Sequence, residues 1–323
     1  RMEMEKVPEA GYRIKGLPIM GIQRKLTLKN LKVPFRLIKS LLMARKIIKQ
    51  FQPDVVVGVG GYASGPVLRA ASKKGIQTLI QEQNSYAGIT NRILAKKAHK
   101  ICVAYDGMEK YFPPDKILHT GNPVRKELLP TGNKKNEALK YFNFSAGKKT
   151  ILSIGGSLGA RSINDSIIYN LQMFENSKIQ LIWQCGKLYY DKAVNELKAF
   201  HLDNVRLLDF ISRMDLAYEA ADLIISRAGA GTISELALVK KPVILVPSPN
   251  VAEDHQTRNA KSLVDKDSAI LVRDQNAKTD LIPTALELLE DQDKLDELSM
   301  NTEKNKKPNS AKMIAEEVLK LIN

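Results

Sequence analysis

The stretch "DLIISRAGAGTISELALV", residues 222–239, reads as a buried strand, a glycine turn and the start of a helix. Such a turn aims helix-start N–H groups at whatever lies above it, which suits an anion. Glu235 sits just inside the same helix, where a carboxylate repels one. The segment asks for a ligand that wants backbone donors and a carboxylate side by side.

The same unit recurs in both directions. "TILSIGGSLGARSIN" (150–164) is again strand, glycine turn and helix. "IQLIWQCG", "VRLLDFI", "KPVILVPSPN" and "SAILV" read as further strands, with a helix over "DLAYEAA" and another from "DHQTRNAKSLVDK". Nearer the start, "DVVVGVGG" (54–61), "QTLIQEQN" (77–84), "KICVAY" and the strand end "HTGNPVR" (119–125) alternate with helical "GPVLRAASKKG" and "AGITNRILAKKA". Two acidic–basic helices close the chain, the last over about 310–322. Repeated β-α units require a parallel sheet with helices on both faces.

The two runs are separated by a polar stretch carrying Pro130, Gly132 and Gly147. The reading is α/β: two Rossmann-like, doubly wound parallel-sheet domains facing each other across a cleft, with the ligand at the carboxyl ends of the strands. The boundaries are 1–130 for the first domain, 131–148 for a linker and 149–306 for the second domain. A helix over 307–323 packs back on the first. The opening residues have no initiator Met and no first strand, so the chain is expected to begin in mid-domain.

Charge divides along the same line. Residues 1–130 hold 24 Lys+Arg and 9 Asp+Glu, a net of +15, and residues 131–323 hold 26 of each. Between Tyr12 and Gln52 there are 11 basic residues and no acidic one. Two domains with different partners explain this, and so does a basic face kept only for solubility.

Three glycine turns follow strands: "GVGGYASG" (58–65), "GGSLG" (155–159) and "GAG" (229–231). One alone is weak, since glycine also serves packing; three point to a phosphate-bearing ligand. A dinucleotide oxidoreductase fits poorly. "GVGGYASG" has the wrong spacing for G-x-G-x-x-G, and the strand after "GGSLGA" ends without the ribose-binding carboxylate. No G-K-[ST] follows a glycine turn, so a P-loop is not indicated. Nucleic acid is disfavoured, because aromatics are 6% and no base-stacking motif appears. The histidines His99, His119, His201 and His255 have no ligand spacing for a metal. Cys102 and Cys185 form no C-x-x-C and fit a reducing compartment. No run approaches the roughly 20 apolar residues that span a bilayer.

In residues 17–32, Leu17, Ile19, Met20, Ile22, Leu26, Leu28 and Leu31 sit among Arg24, Lys25, Lys29 and Lys32. That mixture suits an anionic membrane surface, where each basic side chain contributes about 1 kcal/mol. The aliphatics could equally be core, and both readings stand. In the next helix, Phe35, Ile38, Leu41, Leu42 and Ile48 have the spacing of an ordinary buried stripe.

"GVGGYASGP", "EQNSYAGITNR", "GNPVR", "IGGSLGARSIN", "FISRM", "RAGAGTISE" and "DHQTRNA" together resemble, in order and over the whole chain, the MurG family of glycosyltransferase family 28. The resemblance implies the GT-B architecture. It also implies metal-independent, inverting transfer of GlcNAc from UDP-GlcNAc to lipid I, forming lipid II for peptidoglycan. No cofactor is implied. The implied partners are UDP-GlcNAc, lipid I and an anionic membrane surface, with cell-wall synthesis and division proteins nearby. The implied location is peripheral, on the cytoplasmic face of the plasma (inner) membrane.

Residue by residue, the resemblance implies that Glu235 accepts from both ribose hydroxyls. Ala230, Gly231 and Thr232 supply backbone contacts near ribose and diphosphate. Ile211 meets uracil through its backbone, and Ser157 lies beside the phosphates. Arg125 neutralises the diphosphate as the bond to UDP breaks. Gln256 and His255 bind GlcNAc hydroxyls. Asn84 holds donor or acceptor, with Glu82 in support. Ile19, Met20, Ile22, Arg24, Lys25, Lys29 and Tyr62 fall on the membrane and acceptor side.

Two departures stand out. The family's first glycine loop, which carries the histidine proposed near the general base, is expected before Arg1, so the base is unassigned and residues 1–323 alone are expected to be inactive. The position before Glu82, often His in the family, is Gln81, which cannot act as a base. Rival readings on the same architecture are a UDP-GlcNAc epimerase and a non-catalytic membrane scaffold.

Overall fold

Apolar strands ending in glycine turns build two parallel sheets. The computed structural model describes residues 2–20, 33–125, 134–156, 158–175, 177–251 and 254–322. Ile22, Arg24, Lys25, Lys29 and Ser157 lie outside the described residues.

The chain divides into two compact units, one of residues 1–120 with 312–323 and the other of residues 121–311. In the first, β1 (Val55–Gly58), β2 (Gln77–Glu82), β3 (Lys100–Val103) and β4 (Ile117–His119) form a parallel sheet in the order β1-β2-β3-β4. Its core gathers Leu79, Ile80 and Ile101 from the strands and Leu68, Ala70 and Ala71 from the helix Gly61–Ser72. The helix Val33–Phe51 packs on that helix and contributes Ala44 and Ile48.

The expected buried stripe of Val33–Phe51 is only half right. Ile48 is buried and Leu41 half-buried, but Phe35, Ile38 and Leu42 are 77%, 57% and 58% exposed. At about 100° per residue these three lie on the side of the helix opposite Ala44 and Ile48. Lys39, Arg45, Lys46 and Lys49 flank them and are exposed too. Ile19 and Met20 are half-buried, and Tyr62 is exposed.

Among the described residues the second unit has six parallel strands: β5 (Thr150–Ile154), β6 (Gln180–Gln184), β7 (Val205–Leu208), β8 (Leu223–Ser226), β9 (Val243–Leu245) and β10 (Ile270–Leu271). Their order is β10-β9-β8-β5-β6-β7, the doubly wound 3-2-1-4-5-6 pattern with its reversal between β5 and β8. β5, β6 and β8 are buried on both faces, which explains their unbroken apolar runs. Trp183 and Phe174 are the largest fully buried side chains here.

The 131–148 stretch includes a helix, Lys135–Tyr141, that belongs to the second unit. It buries Ala138 and Leu139 and packs on the helix Met214–Ala220, and Lys135 Nζ donates to Ala220 O and Asp222 Oδ1 at 2.6 and 2.8 Å. After the last strand come a short 3-10 turn, Asp274–Asn276, and three α-helices where two were expected: Ala277–Glu290, Gln292–Lys304 and Ser310–Lys320. Asp291 caps the second by accepting from Lys294 N. No helix among the described residues is long and apolar enough to cross a membrane.

Candidate nucleotide site

In an open α/β sheet the ligand sits where the strand order reverses. Here that point lies between β5 and β8, which pair directly, Ile154 opposite Ser226. A glycine turn leaves each strand and opens a helix, Arg161–Tyr169 after β5 and Ala230–Val239 after β8. The N-cap residues are Ala160 and Gly229, and neither helix start has a side-chain cap. Two sets of first-turn N–H groups therefore come together without a Ser, Thr, Asp or Asn to satisfy them.

Several buried polar side chains hold these turns in place. Gly159 has φ +77°, and a Cβ there would lie 2.0 Å from Cys185 O, so the turn rests on the backbone after β6. Asn164 Nδ2 donates to that same carbonyl at 2.8 Å, and Asn164 Oδ1 accepts from Trp183 Nε1 at 2.9 Å. Gln184, at the end of β6, donates through Nε2 to Gly156 O at 2.9 Å and Asp209 O at 3.2 Å, and accepts from Gly155 N at 3.3 Å. One side chain thus joins the "GGSLG" turn to Asp209, the residue before the "FISRM" segment. Arg227 donates to Val246 O at 3.0 Å and Ser162 Oγ at 2.9 Å and pairs with Asp274, joining the turn after β8 to the helix after β5.

Glu235 lies in the second turn of the helix Ala230–Val239, its side chain 20% exposed. Its Oε1 accepts from Arg125 Nη2 at 3.5 Å, and its Oε2 accepts from the Tyr218 hydroxyl at 3.3 Å. Burial pushes the Glu235 carboxyl above its usual range, opposed by the Arg125 charge and by both donors. Burial also drives the Tyr218 hydroxyl far up, so it remains a neutral donor. Arg125 is 64% exposed and reaches over from the "GNPVR" segment. That segment is fastened to the same helix by Asn122, which is buried and donates to Ser234 Oγ at 3.1 Å.

Of the residues singled out in the sequence, Arg125, Ala230, Gly231, Thr232 and Glu235 gather at the start of one helix. Ile211 is 4% exposed, so its side chain is core and only its backbone can face a ligand. His255 and Gln256 open the helix His255–Val264, where Gln256 Oε1 accepts from Ser248 N at 2.8 Å. Glu82, Asn84 and Tyr62 belong to the first unit. There Glu82 is 3% exposed and accepts from Asn84 N at 3.1 Å, Gly88 N at 3.0 Å and Asn91 Nδ2 at 2.8 Å, so its carboxylate organises its own loop. Among the described residues no group of three or more His, Cys, Asp or Glu side chains could hold a metal.

Sequence reasoning missed Gln184, Arg227, Asn122 and Tyr218. The first carried a signal, since a polar residue at the end of the apolar run "IQLIW" marks a strand end that must be satisfied. The other three read as ordinary turn, loop and helix residues.

Residues 150–317 match the glycosyltransferase family 28 C-terminal domain, and residues 1–103 match the family's N-terminal domain. The chain is 58% identical, over 100% of its length and 88% of the relative's, to a Parabacteroides distasonis protein named UDP-N-acetylglucosamine–N-acetylmuramyl-(pentapeptide) pyrophosphoryl-undecaprenol N-acetylglucosamine transferase. The Acinetobacter baumannii MurG crystal structure superposes with a TM-score of 0.78 at 29% identity, over 99% of this chain and 88% of that one. A UDP-GlcNAc 2-epimerase from Neisseria meningitidis, bound to UDP-GlcNAc, superposes with a TM-score of 0.64 at 16% identity, over 92% and 83% of the two chains. The last likeness is one of fold.

Proposed function

Because the chain belongs to glycosyltransferase family 28, with two Rossmann-like domains of the GT-B type, we propose that it transfers GlcNAc from UDP-GlcNAc to lipid I in peptidoglycan synthesis. The observation that carries this reading is a carboxylate placed beside uncapped helix starts at the sheet's reversal point. A nucleotide sugar wants both. Its phosphates take the backbone donors and the positive ends of the helices. Its ribose offers two hydroxyl donors and no charge, which suits Glu235.

In the reaction, an acceptor hydroxyl attacks the anomeric carbon of GlcNAc as the bond to the UDP oxygen breaks, with inversion. The hydroxyl proton leaves to a general base not identified among the described residues. The negative charge that develops on the diphosphate is met by Arg125 and by first-turn N–H groups, including those of Ala230, Gly231 and Thr232. In this reading no resident cofactor takes part. Ile211 presents its backbone to uracil, and the Nε2 of Gln256 and the ring of His255 donate to GlcNAc hydroxyls. Ser157 is assigned beside the phosphates. Glu82 acts indirectly, by shaping the loop that carries Asn84.

The acceptor is a lipid, and the basic first unit suits an anionic membrane surface at the cytoplasmic face. Support comes from the exposed side of Val33–Phe51, where Phe35, Ile38 and Leu42 stand among Lys39, Arg45, Lys46 and Lys49. The basic and aliphatic mixture of residues 17–32 is read the same way, since Arg24, Lys25 and Lys29 add to that charge.

Calorimetry tests the donor site directly. UDP should bind, Glu235→Ala should weaken it by about 1.5–3 kcal/mol, and 2′-deoxy-UDP should lose much less. Equal losses for both nucleotides would remove Glu235 from the ribose. Sedimentation with anionic liposomes tests the acceptor side, and binding indifferent to lipid charge would count against a membrane-held acceptor. Chromatography of UDP-GlcNAc incubated without lipid separates the transferase from an epimerase, which would change the sugar unaided.

A further inference from the structure

We infer that Tyr218 is a positioning residue, whose hydroxyl holds the Glu235 carboxylate in the orientation that receives a ribose and so sets the preference for ribonucleotides over 2′-deoxyribonucleotides. The inference deepens the donor-site reading and rests on it.

Three observations lead there. Tyr218 is 2% exposed, in the helix Met214–Ala220, and a buried tyrosine hydroxyl is usually held by a polar partner. Its partner is Glu235 Oε2, on a different helix, at 3.3 Å. The other partner of the carboxylate is Arg125, which is 64% exposed at 3.5 Å from Oε1. The two contacts differ in kind. An exposed arginine side chain rotates cheaply and is drawn to any phosphate that arrives. A buried phenol fixed within the core does not move away.

When a nucleotide binds, Arg125 can leave Oε1 for the diphosphate, and Oε1 is then open to the ribose. Tyr218 stays on Oε2 throughout and keeps the carboxylate plane aimed. Without the hydroxyl, the carboxylate loses its fixed contact. It can then rotate to follow Arg125, and the two ribose hydroxyls meet a disordered acceptor.

The test is a double-mutant cycle on the full chain, read by calorimetry with UDP and 2′-deoxy-UDP. Tyr218→Phe removes one oxygen and keeps the ring; its thermal midpoint is measured alongside. Tyr218→Met, which fills similar space without a donor, serves if the phenylalanine variant does not fold. The expected result is UDP binding weakened roughly three- to tenfold by Tyr218→Phe, with a smaller loss for 2′-deoxy-UDP. In a Glu235→Ala background the same change should leave UDP affinity within about twofold, because its route of action is gone. An unchanged UDP affinity in Tyr218→Phe overturns the inference. So does an equal loss with Glu235 already removed, which would make the tyrosine a structural residue. If Glu235→Ala alone leaves UDP binding intact, the donor-site reading itself fails, a result separate from either of these.

Discussion

Two half-buried or buried carboxylates, Glu82 at the end of β2 and Glu235 in the helix after β8, are bonded in opposite ways. Glu82 closes β2 and is 3% exposed, and four N–H donors from residues 84–91 converge on it, three at 2.8 to 3.1 Å and Asn84 Nδ2 at 3.5 Å. Glu235 has two longer contacts, at 3.3 and 3.5 Å, both from outside its own helix. The first carboxylate is committed to the fold. Burial pushes the second carboxyl above its usual range, and its two longer bonds, from Arg125 and Tyr218, offset only part of that. The glycines of the second unit divide the same way. Gly159 is forced by positive φ and by contact with the Cys185 carbonyl, whereas a Cβ on Gly231 would meet nothing within 4 Å.

The sharpest way to break this division is at its committed members. Gly159→Ala should destabilise the second unit by roughly 3–5 kcal/mol, combining a left-handed alanine with a clash against backbone. Urea unfolding checks it, and a loss under about 1 kcal/mol would mean that the turn is not fixed by β6. Glu82→Ala should come next, at about 2–3 kcal/mol, because buried donors lose their acceptor. Glu82→Gln should be no milder, since either placement of its amide points an NH2 at two of the four N–H donors. Faster amide exchange over residues 83–91 in either variant, at unchanged exchange in the second unit, would locate the damage.

Glu235 should behave in the reverse way. On the proposed reading Glu235→Gln weakens UDP, yet it keeps an acceptor for the buried Tyr218 hydroxyl and should leave the fold as stable as before or more so. The sign follows from the raised folded-state pKa. Above that value the native state carries a charge that burial disfavours, and stability attributable to Glu235 rises as pH falls through it. Glu235→Gln should therefore have the higher urea midpoint at neutral pH, and the gap should close as pH falls below about 4.5, where the unfolded carboxylate is protonated too. A variant less stable than the parent at neutral pH would place Glu235 with Glu82 among the structural carboxylates.

How much of this division can be read in the sequence depends on what each residue faces. Strands and glycine turns are legible, because buried parallel strands are apolar throughout and end in residues that permit a turn. The order of strands is not, and it is the order that brings the turns after β5 and β8 together. Arg125 and Glu235 are 110 positions apart, and short of the fold only the family resemblance links them. Tyr218 looks like any residue of a half-buried helix. In Val33–Phe51 the apolar residues fall on two faces, and spacing alone cannot say which face another element covers. Spacing puts Phe35, Ile38 and Leu42 in the core, and they are exposed.

The smallest effect is expected at Gly231, and it separates two meanings of an uncommitted glycine. Gly231 is the second residue of its helix, is exposed, and has neither a positive φ nor a neighbour that a methyl group would touch. Alanine should fit there and raise stability by up to about 0.5–1 kcal/mol, mainly by restricting the unfolded chain. What happens to UDP then depends on how the ligand uses the position. A contact made by the backbone N–H survives a methyl group, so affinity should stay within about twofold while the thermal midpoint rises. A gain in stability accompanied by a clear loss of UDP would mean that the ligand needs the space itself. Gly231 would then be space the nucleotide fills, as the proposed reading takes Glu235 to be the carboxylate its ribose meets.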